Sequence, residues 1–148
     1  MEVNHLRTFL LHHRRIALDT CVFIYQLEAN PRYLGLTDHI FAWLERPGSQ
    51  GITSTVTMTE LLVQPYRDLD QRRVDAFYGL LSTYPHLDWI VPTLEIADLA
   101  ARFRAQHRMR TPDALQAATA VHARATGMVT NDQVFTRIGA FETLVLEP

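Results

Sequence analysis

The sequence predicts an α/β fold, a three-layer α/β/α domain with a central, mainly parallel five-stranded sheet. Five short apolar or β-branched runs alternate with longer segments in which apolar residues recur at helical spacing. The runs are short and nearly continuous in hydrophobicity, which is typical of parallel strands that helices cover on both faces. At 148 residues the chain is about the size of one domain and can bury a sizeable core.

Strands are predicted where β-branched or apolar runs end at turn-forming residues. These runs are residues 16–18, 51–56, 89–91, 127–130 and 141–146. Helices are predicted where the apolar spacing changes to 3.6, as in the i, i+3, i+4, i+7 pattern of Val74, Phe77, Tyr78 and Leu81. The predicted helices are residues 22–27, 36–44, 58–62, 70–84 and 94–107, with a last one running from 111 to Gly127.

The start of that last helix carries the strongest local signal in the chain. Thr111 offers a hydroxyl N-cap, Pro112 suits the first helical position, and Asp113 places an acid in the first turn. We therefore expect a sharply defined helix that begins at this tripeptide.

Composition excludes several classes of protein. No apolar stretch approaches the roughly 20 residues that cross a bilayer, and residues 1–15 contain no signal-peptide core, so we expect a cytoplasmic protein. The single cysteine, Cys21, excludes an internal disulfide and cysteine-based zinc sites, and its apolar surroundings favour a small buried side chain over a reactive thiol. A net charge of -2 gives no global basic signature, so any contact with nucleic acid must be local.

The whole chain, residues 1–148, is interpreted as one domain, because it contains no linker, repeat or low-complexity tract. Residues 1–15 precede the first predicted strand as an extension. We expect them to form an extra helix or a partner contact.

Four acidic residues follow the predicted strands at one edge of the sheet. Asp19 ends the first strand, Glu60 lies in the helix after the second, and Asp132 follows the fourth, while Asp113 begins a helix beside the sheet. Sites in open parallel sheets form outside the carboxyl ends of the strands. Each residue alone has a simpler interpretation, as a turn former, a helix-dipole residue, an exposed helical acid or, for Asp132, the start of a short helix. Their joint placement predicts a common site.

Four carboxylates gathered at one place repel one another unless a cation neutralises them. All-oxygen ligands suit Mg²⁺ or Mn²⁺, which also bind substrate phosphates. The expected reaction is phosphodiester hydrolysis by a metal-activated water.

Other chemistries find no support in the sequence. The seven histidines lack zinc-site spacing, and neither a Gly-x-Ser-x-Gly elbow nor a phosphate-binding glycine loop is present. A basic segment precedes Asp113 and is open to two interpretations, as a guide for an RNA backbone or as a solvated helix face. It comprises Arg102, Arg104, His107, Arg108 and Arg110.

Over residues 16–146 the sequence resembles the PIN-domain family, most closely the VapC-type toxins of type II toxin-antitoxin systems. The resemblance is carried by four segments: Ile16-Ala17-Leu18-Asp19-Thr20, Thr59-Glu60-Leu61, Thr111-Pro112-Asp113-Ala114-Leu115-Gln116-Ala117-Ala118-Thr119-Ala120, and Val129-Thr130-Asn131-Asp132. It implies a five-stranded parallel sheet, cleavage of single-stranded RNA with Mg²⁺ or Mn²⁺, a homodimer, and inhibition by a small cognate antitoxin protein.

Carried over residue by residue, the resemblance makes Asp19, Glu60, Asp113 and Asp132 the catalytic, metal-binding acids. Thr130 and Asn131 match polar positions that orient the metal shell or the attacking water. One departure is Cys21, which stands where many relatives have Asn or Ser. The expected function is a metal-dependent endoribonuclease toxin; the alternative is a catalytically silent PIN-like module that binds RNA or protein.

Overall fold

A computed structural model describes residues 1–148 and contains one sheet of five parallel strands in the order β3-β2-β1-β4-β5. The strands are β1 (Arg15–Leu18), β2 (Gln50–Ser54), β3 (Leu87–Ile90), β4 (Gly127–Thr130) and β5 (Glu142–Val145). β1 lies at the centre and pairs with β2 on one side and β4 on the other. The five-stranded parallel sheet predicted from the sequence is thus confirmed, because every strand pair is parallel.

Seven α-helices and one short 3₁₀ helix, Gln133–Arg137, surround the sheet. The helices are α1 (Val3–His12), α2 (Thr20–Leu27), α3 (Leu34–Leu44), α4 (Thr55–Arg67), α5 (Gln71–Ser82), α6 (Leu94–His107) and α7 (Thr111–His122). None of them is long and apolar enough to cross a bilayer.

Alternate side chains of the central strand enter two separate cores. Ile16 and Leu18 pack into a cluster with α1, α2 and α3, while Ala17 belongs to a second cluster built largely from α6 and α7. This alternation follows from the two-residue period of a strand. The sheet is therefore buried on both faces, which confirms the three-layer prediction.

The N-terminal extension forms a helix that belongs to the first core. Leu6, Phe9 and Leu10 of α1 are buried there. Beyond the helix, the ring of His13 is hydrogen-bonded to Thr126 and to Glu142, each at 2.8 Å. The extra helix expected from residues 1–15 is confirmed, and it is tied to the amino ends of β4 and β5.

Three predicted boundaries were wrong. β2 ends at Ser54 because its hydroxyl accepts from the backbone N–H of Val56 and starts α4 there, so Val56 is helical rather than extended. Thr111 lies inside α7, whose N-cap is Arg110 without a side-chain cap. α7 ends at His122, because the chain must turn before β4 begins at Gly127.

Candidate metal centre

The connections between the strands create a crevice beside β1. The chain passes from β1 to β2 and β3 on one side, then crosses back to β4 on the other side of β1. Neighbouring parallel strands whose connections leave in opposite directions open a crevice at their carboxyl ends. Asp19 follows β1 and Thr130 ends β4, so both lie at this crevice.

Asp19 is the buried acid of the crevice, with 8% of its surface exposed. Its Oδ1 accepts from the backbone N–H of Thr20 at 2.8 Å, and its Oδ2 accepts from the hydroxyl of Thr130 at 2.7 Å. Burial, helped by the charges of Asp113 and Glu60, raises the pKa of Asp19 to about 6 despite these two hydrogen bonds. Those two carboxylates therefore lie within electrostatic reach of Asp19.

Glu60 and Asp113 approach Asp19 from different helices. Glu60 is exposed on α4, and its Oε1 accepts from the hydroxyl of Thr20 at 2.9 Å. Asp113 lies in the first turn of α7 with 15% of its side chain exposed, and its Oδ2 contacts Nε of Arg110 at 3.3 Å. The arrangement brings together three of the four predicted acids.

Asp132 is directed elsewhere. Its Oδ1 accepts from the backbone N–H of Val134 at 2.9 Å and caps the 3₁₀ helix, and Asp132 does not contribute to the pKa shift of Asp19. Its backbone N–H donates to the Thr130 hydroxyl at 3.1 Å. Asp132 is thus joined to Asp19 through Thr130.

Asn131 does not face the carboxylates through its amide group. Its Nδ2 donates to the hydroxyl of Tyr25 at 2.8 Å, and the Tyr25 ring stacks on Tyr33 with centroids 3.9 Å apart. Cys21, the departure from the expected Asn or Ser, has a thiol whose pKa is raised by burial, so an inert side chain is the better interpretation.

Sequence reasoning missed a buried polar network behind the acids. Gln116 of α7 is 3% exposed, and its Nε2 donates to the hydroxyls of Thr57 at 2.6 Å and Thr20 at 3.5 Å. The Thr57 hydroxyl lies 2.7 Å from that of Thr53. A buried glutamine in an Ala-rich helix is the one sequence signal that points to this network, because polar side chains are rarely buried without partners.

The residues around Asp19 fit a hard divalent cation by their chemistry. They offer carboxylate and hydroxyl oxygens only, and a carboxyl group with a raised pKa gains from a neighbouring positive charge. The structure contains no group of three acidic, histidine or cysteine side chains arranged as a ready ligand cluster. Mg²⁺ commonly binds through one or two carboxylates and completes its shell with water and phosphate, a requirement that this partial set can meet.

Comparison of the sequence with protein-family models gives one match. Residues 16–140 match the model of the PIN domain. The chain belongs to the PIN domain family. The matched segment contains all four predicted acids, Thr130 and Gln116, whereas α1 lies before it. No curated protein sequence matches this PIN domain significantly.

Solved structures similar to this PIN domain include several toxin-antitoxin complexes. The DNA-bound VapBC from Salmonella typhimurium superimposes with a TM-score of 0.68 and 20% identity over 88% of this chain and 97% of the other. A toxin-antitoxin complex from Klebsiella pneumoniae gives 0.65 and 20% over 88% and 96%. VapBC2 from Rickettsia felis, bound to a promoter DNA fragment, gives 0.62 and 17% over 88% and 98%. At these identities the likeness establishes the shared fold.

A large apolar groove of about 850 Å³ lies between α4 and α5 of the PIN domain. Thr59, the neighbour of Glu60, is part of its wall, and so is the half-buried Trp89. The remaining lining residues are Thr55, Met58, Leu62, Val63, Tyr66, Tyr78 and Ser82. The groove is thus next to the acidic crevice and is mainly apolar.

Proposed function

We propose that this PIN domain is a divalent-metal-dependent endoribonuclease that hydrolyses single-stranded RNA and acts as the toxin of a toxin-antitoxin pair. The observation that carries the proposal is buried Asp19, placed at the crevice beside β1 with Asp113 and Glu60 within electrostatic reach. Burying one acid beside two others costs stability, so such an arrangement is typical of a site with a chemical role.

In this proposal Asp19, Glu60 and Asp113 hold the ion, with Asp132 as a further ligand from the end of β4. The ion supplies the acidified water and the charge neutralisation that phosphodiester hydrolysis needs. Thr130 and the Thr20 backbone fix the two oxygens of Asp19, so the carboxylate keeps one orientation toward the crevice.

The basic segment before Asp113 is proposed to bind the RNA backbone. Arg110 has 80% of its side chain exposed and contacts Asp113, so its guanidinium stands at the entrance to the crevice. A guanidinium can bind a phosphate through two parallel hydrogen bonds. Support for RNA rather than DNA comes from the resemblance to VapC-type toxins.

The proposed partner is a small antitoxin protein, and the proposed assembly is a homodimer. The solved neighbours from Salmonella typhimurium and Klebsiella pneumoniae are toxin-antitoxin complexes. We assign the antitoxin to the apolar groove between α4 and α5, because apolar concavities of this size favour burial of a partner's side chains.

The test incubates purified, partner-free protein with a mixed structured RNA in Mg²⁺, in Mn²⁺ or in excess EDTA. The Asp113→Asn variant is run beside Asp98→Asn, a matched change at an exposed acid paired with Arg102 on α6. Metal-dependent fragments from wild type and Asp98→Asn, but not from Asp113→Asn, are expected. Intact RNA in every sample would favour the alternative, a silent module that binds RNA or protein.

A further inference from the structure

The amide of Gln116 lies where α2, which follows Asp19, meets α4 and α7, which carry Glu60 and Asp113. It projects from α7, one turn beyond Asp113, and contacts Thr57 of α4 and Thr20 of α2. Thr20 directly follows Asp19, and α4 also carries Glu60. One buried side chain therefore joins the segments of Asp19, Glu60 and Asp113.

The hydrogen positions in this network are fixed by counting donors. The Thr53 hydroxyl donates to the backbone carbonyl of Leu18, so at its contact with Thr57 it accepts the Thr57 proton. Thr57 has then used its one proton, and its oxygen accepts from Gln116 Nε2. On the opposite side, Gln116 Oε1 accepts from the backbone N–H of Ser54.

The second amide proton of Gln116 is left for Thr20. The Thr20 hydroxyl accepts it at 3.5 Å and donates its own proton to Glu60 at 2.9 Å. The Thr20 hydroxyl also lies 3.3 Å from that of Thr57, but its one proton goes to the nearer and charged acceptor, Glu60, which is a proposed metal ligand.

From this geometry we propose that Gln116 is a positioning residue that sets the Glu60 carboxylate, through the hydroxyl of Thr20, at its place beside Asp19. This role rests on the proposed nuclease function. Gln116 touches neither the ion nor the RNA in this assignment; it acts through Thr20 and Thr57.

An amide is required at this position because it both donates and accepts. A glutamate would present only acceptors, so the Thr20 hydroxyl would turn from Glu60 to the new carboxylate, which also adds a negative charge behind three others. A methionine would keep the volume but remove the hydrogen bonds that Gln116 makes to Thr20, Thr57 and the Ser54 N–H.

The test compares Gln116→Met and Gln116→Glu with Gln71→Glu, a change at an exposed glutamine at the start of α5. Two readouts are taken on each protein: kcat and KM for RNA cleavage, and the Mn²⁺ concentration that half-saturates the rise in Tm. We expect both Gln116 variants to lose about 10–100-fold in kcat and in Mn²⁺ affinity, with KM for RNA little changed. Gln71→Glu should behave as wild type.

If the Gln116 variants fail to fold, a second pair of variants tests the positioning role. Thr57→Ser keeps the hydroxyl that orients the Gln116 amide, and Thr57→Val removes it at nearly constant volume. Serine should preserve Mn²⁺ affinity, and valine should weaken it. Mn²⁺ affinity that is unchanged in folded Gln116→Met, or in Thr57→Val, would overturn the positioning role. If wild type binds Mn²⁺ but cleaves no RNA, that result would contradict the nuclease proposal and leave the positioning role of Gln116 standing.

Discussion

Asp19 carries an energetic cost that its neighbours only partly offset. Its two oxygens accept hydrogen bonds from Thr20 and Thr130, yet burial and two nearby acids keep its pKa near 6. In the unfolded chain the same carboxyl group titrates near 3.8. The folded, metal-free protein therefore binds this proton more tightly than the unfolded chain does, so its stability falls as pH rises from about 4 through 6.

Asp19→Asn should stabilise the metal-free protein at about pH 7.5, because the buried charge is gone; a shift of about two pKa units corresponds to about 3 kcal/mol. The gain should shrink toward zero below about pH 4.5, where wild-type Asp19 is protonated in the fold. Denaturant unfolding of both proteins in EDTA at the two pH values measures it. An equal difference at both pH values would contradict the pKa assignment.

At the residue scale, sequence reasoning located Asp19, Glu60 and Asp113 because each follows a recognisable strand end or helix start. It could not place Gln116, Thr57 and Thr20 in one network, because these residues are 37 to 96 positions apart and meet only through packing. For Asp132 it left open a metal ligand, a turn former or the start of a short helix, since the same carboxylate suits each use, and in the structure Asp132 caps a 3₁₀ helix. Asp132 remains a predicted ligand.

Helix α1 lies outside the segment matched by the family model, as does β5. It contributes three buried side chains to the first core, and Phe9 lies so close to β4 that a Cβ on Gly127 would come within 2.7 Å of its ring. Close packing of an aromatic ring on a strand of the central sheet makes α1 an integral part of the domain.

Phe9→Ala should lower the free energy of unfolding by about 3–5 kcal/mol, because it leaves a cavity between α1 and the sheet. Leu11→Ala on the same helix is the control, since Leu11 is 73% exposed. Chemical denaturation of wild type and the two variants measures the free energy of unfolding of each. A similar small loss for both variants would mean that α1 contributes little to the core.

Element boundaries were the least predictable part of the fold. Residues 94–107 were predicted as a helix and α6 has these limits, since Thr93 caps its start and Arg108 ends it in a left-handed conformation. By contrast, Val56 is β-branched and was assigned to a strand, but the Ser54 cap turns the chain into α4 first. A capping hydrogen bond outweighed the intrinsic strand preference of one residue.

The groove between α4 and α5 yields a prediction about the partner. Tyr66→Glu places a charge on the apolar wall and should weaken binding of the cognate antitoxin at least about tenfold, leaving RNA cleavage by the free protein unchanged. Leu94→Glu, at a residue 90% exposed on α6, is the matched control. Titration calorimetry with the antitoxin measures both. Unaltered affinity of Tyr66→Glu would place the antitoxin on another surface.

For the molecule as a whole, the proposed binding of an ion at the acidic crevice should be coupled to global stability. An ion that binds only the folded state at 100 times its Kd adds about 2.7 kcal/mol, or roughly 5–10 °C in Tm for a chain of this size. Mn²⁺ should produce this rise in wild type at neutral pH and little or none in Asp19→Asn. Thermal unfolding with and without EDTA measures it, and an equal rise in both proteins would place the ion elsewhere.

The strand order has a consequence for the time at which the crevice is completed during synthesis. Asp19 leaves the ribosome early, but Thr130, which fixes its carboxylate, is 111 residues later in the chain. At about 5–20 residues per second, that interval lasts roughly 5–20 s. Until β4 emerges, the central strand has no neighbour on that side and the crevice has only one wall. Under the proposed function, the nascent chain should therefore not cleave RNA, including that of the ribosome translating it, until β4 has been made.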